Sequence, residues 1–223
     1  MKLKPIVTAV LLCSSLLAGA AEATPRRRFV FNFQPPTLGT PSHTIGGAIR
    51  GDFCAADRTR KESMTLYVAD EGKTQQSHPT FIGSIPQLNS DKSATLIVKD
   101  ETEDYYIEQP LTVPAGGGRI AVTLDEAHPA LEVGTEYQFF LRLQCGEIAK
   151  VEDPVVSGAI TRVAGTAAGQ SADLMSQDSS SLLDLLTVYN SQDLWFDTLA
   201  LAARLDDLGD GSYFDAMLES IQP

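Results

Sequence analysis

Residues 131–145 read LEVGTEYQFFLRLQC, and the period of this stretch sets the fold class. Tyr137, Phe139, Leu141, Leu143 and Cys145 alternate with Gln138, Arg142 and Gln144. Successive strand side chains point to opposite faces, so period two means one buried face and one wet face. The residues just ahead sharpen the reading. A leucine, a glycine turn at Gly134 and Tyr137 at the strand start fit a tyrosine corner, whose phenol hydrogen-bonds to backbone a few residues upstream. An ordinary strand tyrosine reads the same, and both readings stand at this point.

The same period recurs outward from here. Met64, Leu66 and Val68 alternate, as do Ala94, Leu96 and Val98, and Ile120, Val122 and Leu124. Strands are predicted near 45–50, 64–69, 80–85, 94–99, 105–113, 119–125, 136–144 and 155–163, split by Gly, Pro, Asp and Asn. Short strands without intervening helical periods predict an antiparallel, immunoglobulin-like Greek-key β-sandwich of seven or eight strands. It fills residues 44–164.

The ends read differently. Lys2 and Lys4, an apolar run over 6–17 and the small-x-small site Ala21-Glu22-Ala23 make 1–23 a signal peptide. The run is too short to span a bilayer, which takes about 20 residues, so no membrane span is expected in the mature chain. Residues 24–43, rich in proline and carrying Arg26-Arg27-Arg28, form a leader read as flexible. Arginines there resist translocation, but the cysteines favour export. Removing the signal takes Cys13 and leaves Cys54 and Cys145, which predicts one disulfide in a periplasmic or extracellular protein. Two separate buried thiols are the alternative.

After a Gly/Ala/Ser linker at 165–180 the period changes to that of helices. Leu182, Leu183, Leu185, Leu186 and Tyr189 make one stripe, and Leu194, Trp195, Leu199, Ala202 and Leu205 a second. A third short helix holds Phe214, Met217, Leu218 and Ile221, capped by Ser212 or Asp210. This acidic appendage, 181–222, must bury its apolar faces on something. Docking on the sandwich is the expectation; a free partner-binding arm is the alternative. The whole chain carries a net charge of −12, a poor match for nucleic acid, whose phosphates require Lys and Arg.

Several stretches together carry a resemblance: HPTF at 78–81, Lys99-Asp100-Glu101, LEVGTEY at 131–137, the strand ending at Cys145, and the strand from Gly158 to Val163. The chain resembles the domain of unknown function 928 family, bacterial secreted proteins with no established activity. The resemblance implies paired cysteines at Cys54 and Cys145, His78, Pro79 and Phe81 as a family motif, and a C-terminal helix pair containing Trp195. That pair looks like a single tetratricopeptide-type hairpin, with Asp193 and Thr198 where Gly and Ala are usual. The strand after HPTF departs from the family: Ile82, Gly83 and Ser84 stand where large residues are usual. A bulge, or a neighbour packed into the gap, is expected at Gly83.

Sites of chemistry are scarce. His78 and His128 both precede proline, which favours extended backbone and a turn role at strand entries. No Gly-x-Ser-x-Gly elbow and no zinc-ligand spacing is present. Residues 206–211 align poorly with a calcium loop, because Leu208 and Met217 fall where oxygen ligands belong. The carboxylates Asp100, Glu101, Glu103 and Asp104 read as a solvated turn. The glycines at 116–118 precede a strand, so they do not cradle phosphate at a helix start. No catalytic residue, cofactor or metal is expected. The residues favour a non-enzymatic binding or scaffolding module whose partner is an envelope protein or glycan. The alternative is an envelope carbohydrate hydrolase using the carboxylates near Asp100.

Overall fold

The computed structural model describes residues 54–56, 63–69, 72–165, 178–209 and 212–220. The expected signal, leader, first strand at 45–50 and most of the linker lie outside the described residues. Eight strands follow in order: β1 (Thr65–Leu66), β2 (Lys73–Thr74), β3 (Thr80–Ile85), β4 (Lys92–Lys99), β5 (Tyr106–Val113), β6 (Gly118–Thr123), β7 (Glu136–Leu143) and β8 (Val155–Arg162). Three helices come last: α1 (Ser179–Ser191), α2 (Trp195–Asp207) and α3 (Tyr213–Ser220).

The strands form two open sheets, ordered β1-β3-β6 and β2-β8-β7-β4-β5. The alternation read from sequence fixes the register of the larger one. Val98 lies opposite Phe139, Leu96 opposite Leu141 and Ala94 opposite Leu143, so the apolar phases of β4 and β7 share one face. All six residues are at most 2% exposed. A slip of one residue would turn both phases to water.

Two expectations are corrected. The strand expected over 64–69 pairs only at Thr65–Leu66, and β2 was not foreseen. Two residues show no period, so Lys73–Thr74 gives no strand signal in sequence. β2 also runs parallel to β8, whereas the other named pairs are antiparallel.

The gap at Gly83 is filled by β1. A methyl at Gly83 would sit 2.3 Å from the Thr65 carbonyl oxygen and 2.8 Å from Leu66 Cδ2. The missing side chain is therefore what admits β1 beside β3.

The helices share the core of the sheets. The Phe196 ring lies 5.8 Å from those of both Phe81 and Phe139, which are themselves 4.4 Å apart. Rings from β3, β7 and α2 thus meet in one cluster, and burying a phenylalanine contributes about 1.5–3 kcal/mol. Asp178 caps α1, accepting from the Ser181 amide at 2.9 Å. Of the two residues expected to cap α3, Asp210 lies outside the described residues, and the Ser212 carbonyl accepts from the Ala216 amide. Asp206, on the last turn of α2, accepts from the amides of Tyr213 (2.7 Å) and Phe214 (3.3 Å). One carboxylate therefore serves two free amides and fixes the angle between α2 and α3.

Candidate functional site

His78 sits in the turn before β3, and its ring is spent there. Nε2 donates to the His128 carbonyl at 3.0 Å, which leaves Nδ1 to accept from the Ser77 hydroxyl at 3.1 Å. Backbone bonds from Leu131 to Ser77 and from Leu124 to Pro79 knit the same two segments. Pro79 is buried. A hydroxyl and a base are within reach here, but the third group is a carbonyl. It does not stabilise an imidazolium as a carboxylate would.

The acidic turn between β4 and β5 also consumes its own groups. Asp100 accepts from the Tyr105 amide at 3.2 Å and the Thr102 hydroxyl at 3.2 Å. Thr102 also bonds Asp104, and Lys99 pairs with Glu103. Residues 101–104 are exposed. Among the described residues no group of three or more His, Cys, Asp or Glu is placed to hold a metal.

At the start of β7 the Tyr137 hydroxyl accepts from the Glu132 amide at 2.9 Å, five residues upstream. Gly134 between them has φ +85°, a conformation that side chains rarely tolerate. The Tyr137 ring, 1% exposed, lies edge-on to Tyr105 at 4.8 Å. Burial, then the charge of Tyr137, pushes the Tyr105 phenol up to about 12. At the other end, Cys54 and Cys145 are bonded, with Cα atoms 5.1 Å apart. Asp153 braces that end, accepting from the amides of Cys145 (3.2 Å) and Lys150 (2.7 Å).

The seam between helices and sheet holds a buried polar cluster. Asp197, 3% exposed, accepts from the Thr74 hydroxyl at 3.2 Å and the Gln75 amide at 3.0 Å. Gln75 donates to Gln192 at 2.7 Å and Gln76 to the Tyr189 hydroxyl at 3.2 Å. Burial outweighs these bonds and raises the Asp197 carboxyl to about 6. Trp195 stands beside it and donates to the Tyr67 carbonyl at 3.0 Å. Sequence reading found the helices and Trp195 but not Asp197. The signal was there: an acid enclosed by Trp195, Phe196 and Leu199 where the helix stripe should be unbroken.

The outer face of the large sheet mixes aromatic, charged and amide groups. Register places Tyr106, Lys99, Gln138 and Ala159 in one row across β5, β4, β7 and β8, then Glu108, Ile97, Phe140 and Ser157, then Pro110, Thr95, Arg142 and Val155. Phe140 is the exception to the alternation in β7, an aromatic in the polar phase. Tyr106 is 49% exposed, yet Ile97 is only 7% and Ser157 8% exposed. The middle row of the face is therefore largely buried, and charged and amide groups stand around it. Lys99 lies 6.0 Å from the Phe140 ring centre, and the Tyr106 hydroxyl donates to Glu108 at 2.7 Å. That bond, ahead of slight burial, raises the Tyr106 phenol.

No helix among the described residues is long and apolar enough to cross a membrane. In comparison with known protein families, the model of Domain of Unknown Function (DUF928) matches residues 45–212. No curated protein matches the chain.

Proposed function

We propose that this chain, which belongs to the domain of unknown function 928 family, is an exported, non-enzymatic binding module of the cell envelope. Its framework is an immunoglobulin-like Greek-key sandwich, a reading supported by the non-consecutive antiparallel pairs β3–β6 and β4–β7. The α1–α2 pair is a single tetratricopeptide-like hairpin used to close the core. Residues 1–23 direct export, and the Cys54–Cys145 bond supports an oxidising compartment.

One observation carries the binding reading. Phe140 and Tyr106 stand on the wet face of the large sheet, over a floor already excluding water, with groups of both charges around them. Aromatic groups in such a setting dominate contact energy. The carboxylates near Asp100, by contrast, are tied up within their own turn.

The test is sedimentation of the full processed protein with an envelope fraction. Wild type should pellet with the envelope, and the Tyr106→Ala/Phe140→Ala double variant should stay in the supernatant while melting at nearly the same temperature. Equal pelleting of both, or none of the wild type, would overturn this reading. N-terminal sequencing of the exported protein should begin at Thr24.

A further inference from the structure

The geometry points to an extended, β-linked polysaccharide strand as the ligand of the outer sheet face, and we propose it as such. The inference rests on the binding-module reading and names its ligand class. Three features of the face lead to it.

The first is the placing of the rings. Tyr106 on β5 lies opposite Lys99, which lies opposite Gln138, two residues before Phe140 on β7. Two strand spacings and a two-residue offset separate the Cα positions that carry the rings by roughly 12 Å. That is about the length of two hexose units. Alternate sugars of a flat chain would therefore each meet a ring. The carbon–hydrogen face of a pyranose packs on an aromatic ring as other apolar groups do.

The second is shape. Small-molecule sites are concave, whereas Ile97 and Ser157, on either side of Phe140 in the middle row, are both under 10% exposed. A level platform suits a long strand lying across it. Around the rings stand donors on Lys99, Gln138 and Arg142 and acceptors on Glu108 and Gln138. Sugar hydroxyls need both kinds.

The third is charge. Outward positions of the five strands carry Lys73, Lys99 and Arg142 against Glu108 and Glu136. Three cations and two anions give +1, and the Asp193 and Glu103 carboxylates paired with Lys73 and Lys99 bring this to −1, in a chain of −12. The face lacks the acid excess of the rest, which fits an uncharged or weakly acidic polymer and not a basic protein patch.

The experiment is a pull-down of the full processed protein on insoluble cellulose, chitin and purified peptidoglycan. Binding is expected to at least one, weakened about tenfold by Tyr106→Ala and by Phe140→Ala. Tyr106→Phe, which keeps the ring and loses the bond to Glu108, should bind more tightly than Tyr106→Ala. Thermal melts of each variant, followed by Trp195 fluorescence, separate lost contact from lost fold. Absence of binding to all three polymers, or binding indifferent to both alanine variants, overturns the proposal. If the protein instead pellets with a polysaccharide-stripped envelope fraction through the same two residues, the ligand is a protein. The binding-module reading then stands while this inference fails.

Discussion

Replacing Asp197 by asparagine removes one ionisable group from the seam between β2 and α2 while keeping its shape. The wild-type carboxyl is raised by burial from the ordinary 3.8 to about 6. The folded state therefore holds this proton more tightly than the unfolded chain does. Its contribution to stability is full below about pH 4 and is lost as pH rises through about 6. A shift of this size corresponds to roughly 3 kcal/mol across the whole window. Between pH 5 and pH 7 alone it amounts to roughly 1 kcal/mol. Urea unfolding reads it directly, because Trp195 is the single tryptophan and is 3% exposed at the seam. Wild type should lose roughly 1 kcal/mol more than Asp197→Asn between pH 5 and pH 7. The Asp206 carboxyl is also raised, first by burial, but it is common to both proteins and cancels in the difference. Parallel pH curves for the two proteins would refute the reasoning, since Asp197 would then titrate alike folded and unfolded. Asp197→Leu should behave differently again. It strands the Gln75 amide and the Thr74 hydroxyl, at about 1–3 kcal/mol for each unmet group.

Other consequences can be measured on the same protein. Gly83→Val drives a side chain into Thr65 and Leu66, and should lower stability by about 1–3 kcal/mol or more in chemical denaturation. Reducing the Cys54–Cys145 bond, which spans 91 positions, should cost roughly 4–5 kcal/mol in the chain-entropy estimate, read as an earlier melt with dithiothreitol. Tyr137→Phe keeps the ring against Tyr105 and loses the bond from the Glu132 amide. A loss of about 0.5–1.5 kcal/mol is expected, and a stability equal to wild type would mean that water replaces the phenol there.

The sequence announced elements that carry their own period. β7 and β4 could be placed because four and three apolar residues recur in them at period two, and that pattern dictates which face is buried. β2 could not, because its two residues are held by β8 and by Asp197 rather than by any local preference. The docking of the helices was left open for a related reason. A stripe of Leu182, Leu186 and Leu205 states that a face must be covered, not by what. The ring of Phe196 against Phe81 and Phe139 supplies that answer, and it depends on contacts far apart in the chain. The outer-face aromatics were visible as letters. Their meaning depended on register, which places Phe140 beside Ile97 rather than under Phe81.

The position of Phe196 also sets a timetable. Thr74 and Asp197 lie 123 positions apart, and the rings of Phe81 and Phe139 lack their third partner until α2 exists. A ribosome working from the N-terminus completes both sheets' strands well before it delivers α2. Throughout that interval the chain has the stickiest part of its interior on display. A stop anywhere before position 195 would leave those rings without their third partner for good.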